Sequence, residues 1–231
     1  MKRLFFILAI IISLAITIPA VAGSPYVSLK GSFAKTDISN IKFTDSDDAY
    51  YNPVSNRDNS DSITSPGIAI GYDFGETRIE FEFFNRATAK FNTTTDAIVC
   101  GFLHNNILDI QSDIKTKTFF INSYTDFEIN KSFELYTGMG IGLARHKSNI
   151  TGVLAPGWFW TNTGTNTQSD SDSNTEFAWN VQFGSVYKIN KNIAFDLGLR
   201  YANLGKADMT DVFKDVKVKS KEVVLSVRYT F

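Results

Sequence analysis

The chain has 231 residues with 23 Lys and Arg against 24 Asp and Glu, a balance that excludes a generic polyanion binder such as a nucleic-acid protein. Its single cysteine, Cys100, excludes an intrachain disulfide. Mean hydropathy is close to neutral, yet alternating strands hide an apolar face from any such average.

Lys2 and Arg3 precede an apolar run from Leu4 to Ile18, and Ala20-Val21-Ala22 supplies the small residues that a signal peptidase reads. Residues 1–22 are therefore expected to be a cleaved signal peptide, because a run of about 15 apolar residues is short of the ~20 a helix needs to span hydrocarbon. The mature part, 23–231, would carry 21 Lys and Arg against the same 24 acids. No later stretch is long and apolar enough for a transmembrane helix.

Alternation then recurs along the chain. Val27, Leu29, Gly31 and Phe33 oppose Ser28, Lys30 and Ser32; Ile68, Ile70, Tyr72 and Phe74 oppose Gly67, Ala69, Gly71 and Asp73. A third segment sets Ile79, Phe81 and Phe83 against Arg78, Glu80, Glu82 and Phe84. In a fourth, Phe119, Ile121, Ser123, Thr125 and Phe127 oppose Thr118, Phe120, Asn122, Tyr124 and Asp126, and a slip of one residue would invert the assignment. Leu135 to Leu143, Phe177 to Tyr187 and Ile193 to Tyr201 repeat the pattern. The last segment, Val223, Leu225, Val227, Tyr229 and Phe231, sets an apolar face against Glu222, Ser226 and Arg228. Eight such segments of roughly 10 residues each are the lengths a tilted strand needs to cross a bilayer.

The links alternate in length. Gly75-Glu76, Glu128–Lys131 and Lys188–Lys191 are short, whereas Thr36–Ile63, Ala87–Asp113, His146–Thr175 and Gly205–Val216 are long and rich in Asp, Asn, Ser, Thr and Gly. That rhythm predicts an all-β fold: an eight-stranded antiparallel transmembrane β-barrel with long extracellular loops, short periplasmic turns and both mature termini in the periplasm of a bacterium. A soluble barrel of the lipocalin type would turn the apolar face inward around a ligand. Two features favour lipid outside. The other face is crowded with Gly and Ala, which suits a narrow lumen, and aromatics form two belts: Phe33, Phe177, Trp179 and Tyr201 toward the long loops, Phe74, Phe127, Tyr187, Tyr229 and Phe231 toward the short turns.

Tyr136-Thr137-Gly138-Met139-Gly140-Ile141-Gly142-Leu143-Ala144, together with Asn122-Ser123-Tyr124-Thr125-Asp126-Phe127 and Leu199-Arg200-Tyr201, resembles the strand motifs of opacity-type, OmpA-like outer-membrane barrels and related bacterial surface antigens. Thr125 stands where those proteins usually carry a second aromatic. The resemblance spans the mature chain and implies a small surface-exposed barrel, often an antigen or adhesin, and not an enzyme. It fits a C-terminal assembly signal at Leu225, Val227, Tyr229 and Phe231, so that the partners expected are outer-membrane lipids, the outer-membrane assembly machinery and a host-surface ligand held by the loops, with no nucleic acid, and a monomer is favoured.

Inward charges are numerous: Lys30, Arg78, Arg86, Arg200 and Arg228 against Asp73, Glu80, Glu82, Asp126, Glu134, Asp196 and Glu222. Unpaired buried ions cost several kcal/mol, so a hydrated network plugging the lumen is expected. The other reading is a narrow pore, although eight strands leave an interior only just wide enough for side chains.

The remaining motifs carry less chemistry. Gly138, Gly140 and Gly142 alternate within a strand and make room for bulky lumen groups, unlike a phosphate-cradling loop. His104 and His146 lack metal-ligand spacing and read as surface residues; Asp45-Ser46-Asp47-Asp48 and Asp170-Ser171-Asp172 lack the glycine and glutamate of a calcium loop. No catalytic residue, cofactor or metal is expected, with His146 near Ser148 keeping open a lipid-modifying enzyme. Trp158, Phe159 and Trp160 form an aromatic cluster in a polar loop, either a partner surface or rings dipping into the outer leaflet. The acidic first loop, with Lys42 and Arg57 its cations, suggests a basic partner or bridging divalent ions.

Overall fold

The computed structural model describes residues 23–39, 59–98, 105–154, 166–208 and 216–231. The expected leader, Cys100, His104, Asp45 to Asp48 and the Trp158, Phe159, Trp160 cluster lie outside the described residues.

Nine strands follow in order: β1 (Ser24–Ser39), β2 (Asn59–Asp73), β3 (Thr77–Asn85), β4 (Ala89–Ile98), β5 (Asn105–Asn130), β6 (Phe133–Leu154), β7 (Asn166–Lys188), β8 (Ile193–Ala207) and β9 (Val216–Thr230). All pairings among them are antiparallel, and β1 with β9 and β3 with β5 close the sheet on itself. The wall has eight positions, because β3 and β4 share one. β3 pairs with Lys117–Thr125 of β5, and β4 pairs with Asn105–Ile114 of the same strand. Between them the Arg86 N–H donates to the Thr116 carbonyl at 3.0 Å, which carries the ladder across the break. The eight-stranded antiparallel barrel expected from alternation is the observed architecture.

The short turns share one local device. Asp73 Oδ1 accepts from the Gly75 N–H at 2.8 Å, Asn130 Oδ1 from Ser132 and Phe133 at 3.0 Å each, and Asn190 Oδ1 from Asn192 and Ile193 at 2.9 and 2.8 Å. Side-chain carbonyls of this kind take over backbone donors that the ladder leaves free at a reversal. Gly75, at φ 97°, occupies the left-handed region that other residues resist.

Alternation places the apolar face outward. Leu29 is 70 % exposed and Met139 68 %, while the inward side chains of Arg200 and Glu82 are buried. The fourth predicted segment keeps its register, with Phe119, Ile121 and Phe127 outward and Phe120, Tyr124 and Asp126 inward. A wall of exposed Leu, Ile, Phe and Val around a buried ionic interior is stable in hydrocarbon and unfavourable in water.

The strands run further than the sequence suggested. Much of the length assigned to long links is paired sheet: β5 has 26 residues, β6 22 and β7 23. Beyond the apolar belt the polarity of the wall reverses. Outward positions become Lys35, Lys90, Lys115, Lys117, Arg145 and Lys147, while Ile38, Ile63, Ile114, Ile150, Leu204, Val216 and Val218 are buried inside. Above the lipid the barrel is thus a water-soluble one, with its own apolar core. The polar composition of these stretches concealed that core, because the inward positions are only every second residue.

Inward glycines sit under aromatic rings. A Cβ on Gly138 would lie 2.6 Å from Tyr124 Cδ1, inside any van der Waals contact. Gly138→Val is therefore expected to destabilise the barrel by about 1–3 kcal/mol through overpacking. A lowered urea midpoint, followed by the gel mobility shift between folded and heat-unfolded protein in lipid vesicles, would register this; an unchanged midpoint would show that Tyr124 moves freely aside.

Candidate functional site

The lumen holds a chain of alternating charge. Lys30 Nζ donates to Glu80 and, at 2.7 Å, to Glu82. Arg200 Nη2 donates to Glu82 at 2.6 Å, and its Nη1 lies 3.7 Å from Glu222. Arg86 Nη1 reaches the other oxygen of Glu222 at 2.5 Å. The order along the lumen is Glu80, Lys30, Glu82, Arg200, Glu222, Arg86: three carboxylates and three cations, with no net charge. Each strand contributes because its inward positions repeat every second residue, so Glu80 and Glu82 of β3 both face Lys30.

Two further pairs flank the chain. Arg78 donates through Nε and Nη2 to both oxygens of Asp126, at 2.6 and 2.7 Å, a bidentate geometry that fixes orientation as well as charge. Its guanidinium also stacks 4.7 Å from the centre of the Tyr124 ring. Arg228 lies 3.6 Å from Asp196.

Two of the carboxylates predicted for this network lie outside the alternating chain, although Glu134 is buried on the inward face. Asp73 caps the β2–β3 turn, and Glu134 pairs with Lys188 at the short-turn end, where the lysine is partly exposed. Both occupy strand ends, where a turn N–H or a lysine of the neighbouring strand is within reach. Conversely, neutral partners extend the network. Tyr124 and Tyr26 donate to Glu80 at 2.9 and 3.2 Å, Gln182 donates to the Tyr124 hydroxyl at 3.0 Å, and Asn180 donates to Asn122 at 2.9 Å. These residues carried a signal in their inward parity. A search for charge alone passes over them.

Little space remains. The void bounded by Lys30, Arg78, Glu80, Tyr124 and Tyr136 measures about 10 Å³, close to the room of a single water. Above it, Phe120, Ala144, Ala178, Ala202 and Leu204 pack toward the apolar core of the upper barrel. Among the described residues, charge and then hydrocarbon fill the interior.

His146 is not a surface residue. It is fully buried in the upper barrel, its Nε2–H donating to the Leu204 carbonyl at 2.8 Å and its Nδ1 lying 3.0 Å from Thr116 Oγ1. Ser148, two positions along the same inward face, donates to the Asp208 carbonyl. Both ring nitrogens and the hydroxyl are committed to other partners, so the two do not form a nucleophile and base. The outward aromatics of both belts, Phe33, Phe177 and Trp179 at one end, Phe127, Tyr187, Tyr229 and Phe231 at the other, are exposed. In the proposed assembly signal, Leu225, Val227, Tyr229 and Phe231 all face outward, and the Phe231 N–H donates to the Pro25 carbonyl at 3.1 Å to end the β1–β9 seam.

A closed antiparallel barrel with an apolar outer wall and an ionised, filled interior is an integral membrane barrel. Residues 6–231 match the family described as outer membrane protein beta-barrel domain, and the chain belongs to that family. It is a protein of the bacterial outer membrane. Outer membrane protein PagN of Salmonella typhimurium is 28% identical over 224 residues, 89% of either chain. Among solved structures, Neisserial surface protein A aligns with a TM-score of 0.49 and 19% identity, covering 91% of this chain and 99% of its own. Ail, the attachment invasion locus protein of Yersinia pestis, aligns with a TM-score of 0.44 and 17% identity, covering 90% and 99%.

Arg200 bridges two carboxylates, so Arg200→Glu would set a third acid between Glu82 and Glu222, with only Lys30 and Arg86 left in the chain to oppose the three. The loss expected is about 3–5 kcal/mol, the cost of stranding buried charge. Refolding into lipid vesicles should give a small folded fraction; a wild-type yield would show that the network is dispensable.

His146 lies at the level of the outward cations Arg145 and Lys147, above the apolar belt. Burial holds its pKa below the ordinary histidine value; the hydrogen bond to the Leu204 carbonyl opposes this, Arg86 adds to the depression and Asp208 acts against it. The unfolded state therefore binds more protons as pH falls through ~6.5, and stability is lost in that direction. The wild-type urea midpoint should fall on acidification below about pH 6.5, and His146→Gln should flatten that slope. Parallel pH profiles for the two proteins would contradict the assignment.

Proposed function

We propose that this protein is a non-enzymatic surface platform: a sealed barrel whose loops mediate adhesion or another surface contact, and which contributes to outer-membrane structure. The observation that carries the reading is the continuation of β5, β6 and β7 beyond the apolar belt as a paired sheet with an apolar core. Such an extension holds loop ends rigidly away from the membrane, the arrangement by which loops bind at low entropic cost. The long connections and the Trp158, Phe159, Trp160 cluster then face outside the cell, the termini face the periplasm, and residues 1–22 are removed on export.

A pore is the second reading, and the neutral charge chain beneath an apolar plug counts against it. A lipid-modifying enzyme has less support, since His146 and Ser148 are engaged elsewhere.

Replacing Trp158 and Trp160 together by Ala should leave assembly intact and reduce attachment of expressing cells to host or abiotic surfaces by several-fold, as loss of aromatic anchors does. Unchanged attachment would assign those rings to the outer leaflet instead. In planar bilayers the purified protein should give no large steady current; sustained single-channel openings would replace the platform with a pore.

A further inference from the structure

In the two outward rows directly above the apolar belt, the wall of β5 and β6 sets like charges against each other. Lys115 stands opposite Lys147 and Lys117 opposite Arg145; the next row down is Phe119 opposite Leu143, in the belt. All four cations are exposed, and they share a hollow with Ser171, Asp172 and Ser173 of β7. Among the described residues none of the four is held in an ion pair. Directly opposed like charges destabilise a sheet, and two such pairs are stacked here, with Asp172 in the hollow and Asp113 two residues from Lys115 on the same face of β5 against four cations.

The same arrangement recurs on the far side of the ring. Lys35 faces Lys221 across β1 and β9, again one row above an apolar pair, Phe33 and Val223. There Asp37 lies 3.1 Å from Lys221, so that seam is partly neutralised. The β1–β9 and β5–β6 seams are four wall positions apart in a ring of eight, diametrically opposed. Cations at one height on opposite sides, pointing outward over the edge of the belt, face the surrounding headgroup layer; a soluble partner would meet one side.

The geometry points to a binding site for the phosphate groups of outer-leaflet lipid, formed by Lys115, Lys117, Arg145 and Lys147. The phosphates relieve the repulsion between the opposed pairs and fix the depth at which the barrel sits, independently of what the loops contact. Stability then depends on lipid phosphate through these four side chains.

The test uses the full barrel in nanodiscs of phosphatidylcholine alone, with added bisphosphorylated lipid A, or with the dephosphorylated form. Wild type should show a raised thermal midpoint with the phosphorylated lipid only. The Lys115→Gln, Lys147→Gln double variant should lose about half or more of that rise, yet match or exceed wild type in phosphatidylcholine, where it has shed a repulsion. Lys115→Gln alone, which removes one repulsion and no packing, gives the same comparison should the double variant assemble poorly. Equal lipid A responses in wild type and variant would overturn the site, as would equal destabilisation of the variant in every lipid. A soluble sulfated polysaccharide that stabilises wild type in phosphatidylcholine as strongly as lipid A, through the same side chains, would assign the cluster to a soluble polyanion and overturn the lipid assignment.

Discussion

Everything in this molecule follows from the need to pair every backbone N–H and C=O inside hydrocarbon, where an orphaned group costs several kcal/mol. An open sheet has two unpaired edges. Here β1 meets β9 and β3 meets β5, so no edge remains in the belt. Closure then fixes two environments for the side chains of each strand, and a period of two distributes residues between them. Leu29, Ile70, Phe81, Met139 and Leu225 go to lipid; Lys30, Glu80, Glu82, Arg200 and Glu222 go to the lumen.

The lumen shows what that constraint costs and how it is offset. Desolvated ions are tolerated only when paired, and a chain of three acids and three bases spreads the pairing over four strands: β1, β3, β8 and β9, with Arg86 in the break between β3 and β4. Glycines opposite Tyr124 and Tyr136 provide the space for rings that hydrogen-bond or stack on these ions. A barrel filled in this way gains registry, since a one-residue slip of any strand would send its charges into lipid. The filling also explains why a platform is a better reading than a conduit.

Where the belt ends, the solvent on the outside changes and the pattern inverts on the same strands. Ile114 and Ile150 turn inward while Lys115 and Lys147 turn outward, without any break in pairing. Backbone hydrogen bonding is indifferent to this exchange, so the strands continue as long as each face finds its proper medium. Buried His146 belongs to the upper, soluble portion, which distinguishes its chemistry from that of the ions below.

Much was legible from the residues in order. Alternation is a local, period-two property, so the faces of all eight segments, including Phe119 to Phe127, the short turns and the barrel class could be read directly. The charges to be paired could also be named, since inward parity selects them. What the order of residues left open was which charge meets which: Arg86 with Glu222, or Arg78 with Asp126, lies across 136 or 48 positions and depends on ring closure and stagger. For the same reason the turn cap at Asp73, the pairing of Glu134 with Lys188, the burial of His146 and the sheet above the belt are not visible in the order of residues. Partners across a closed ring, and the height at which lipid gives way to water, are properties of the assembled cylinder alone.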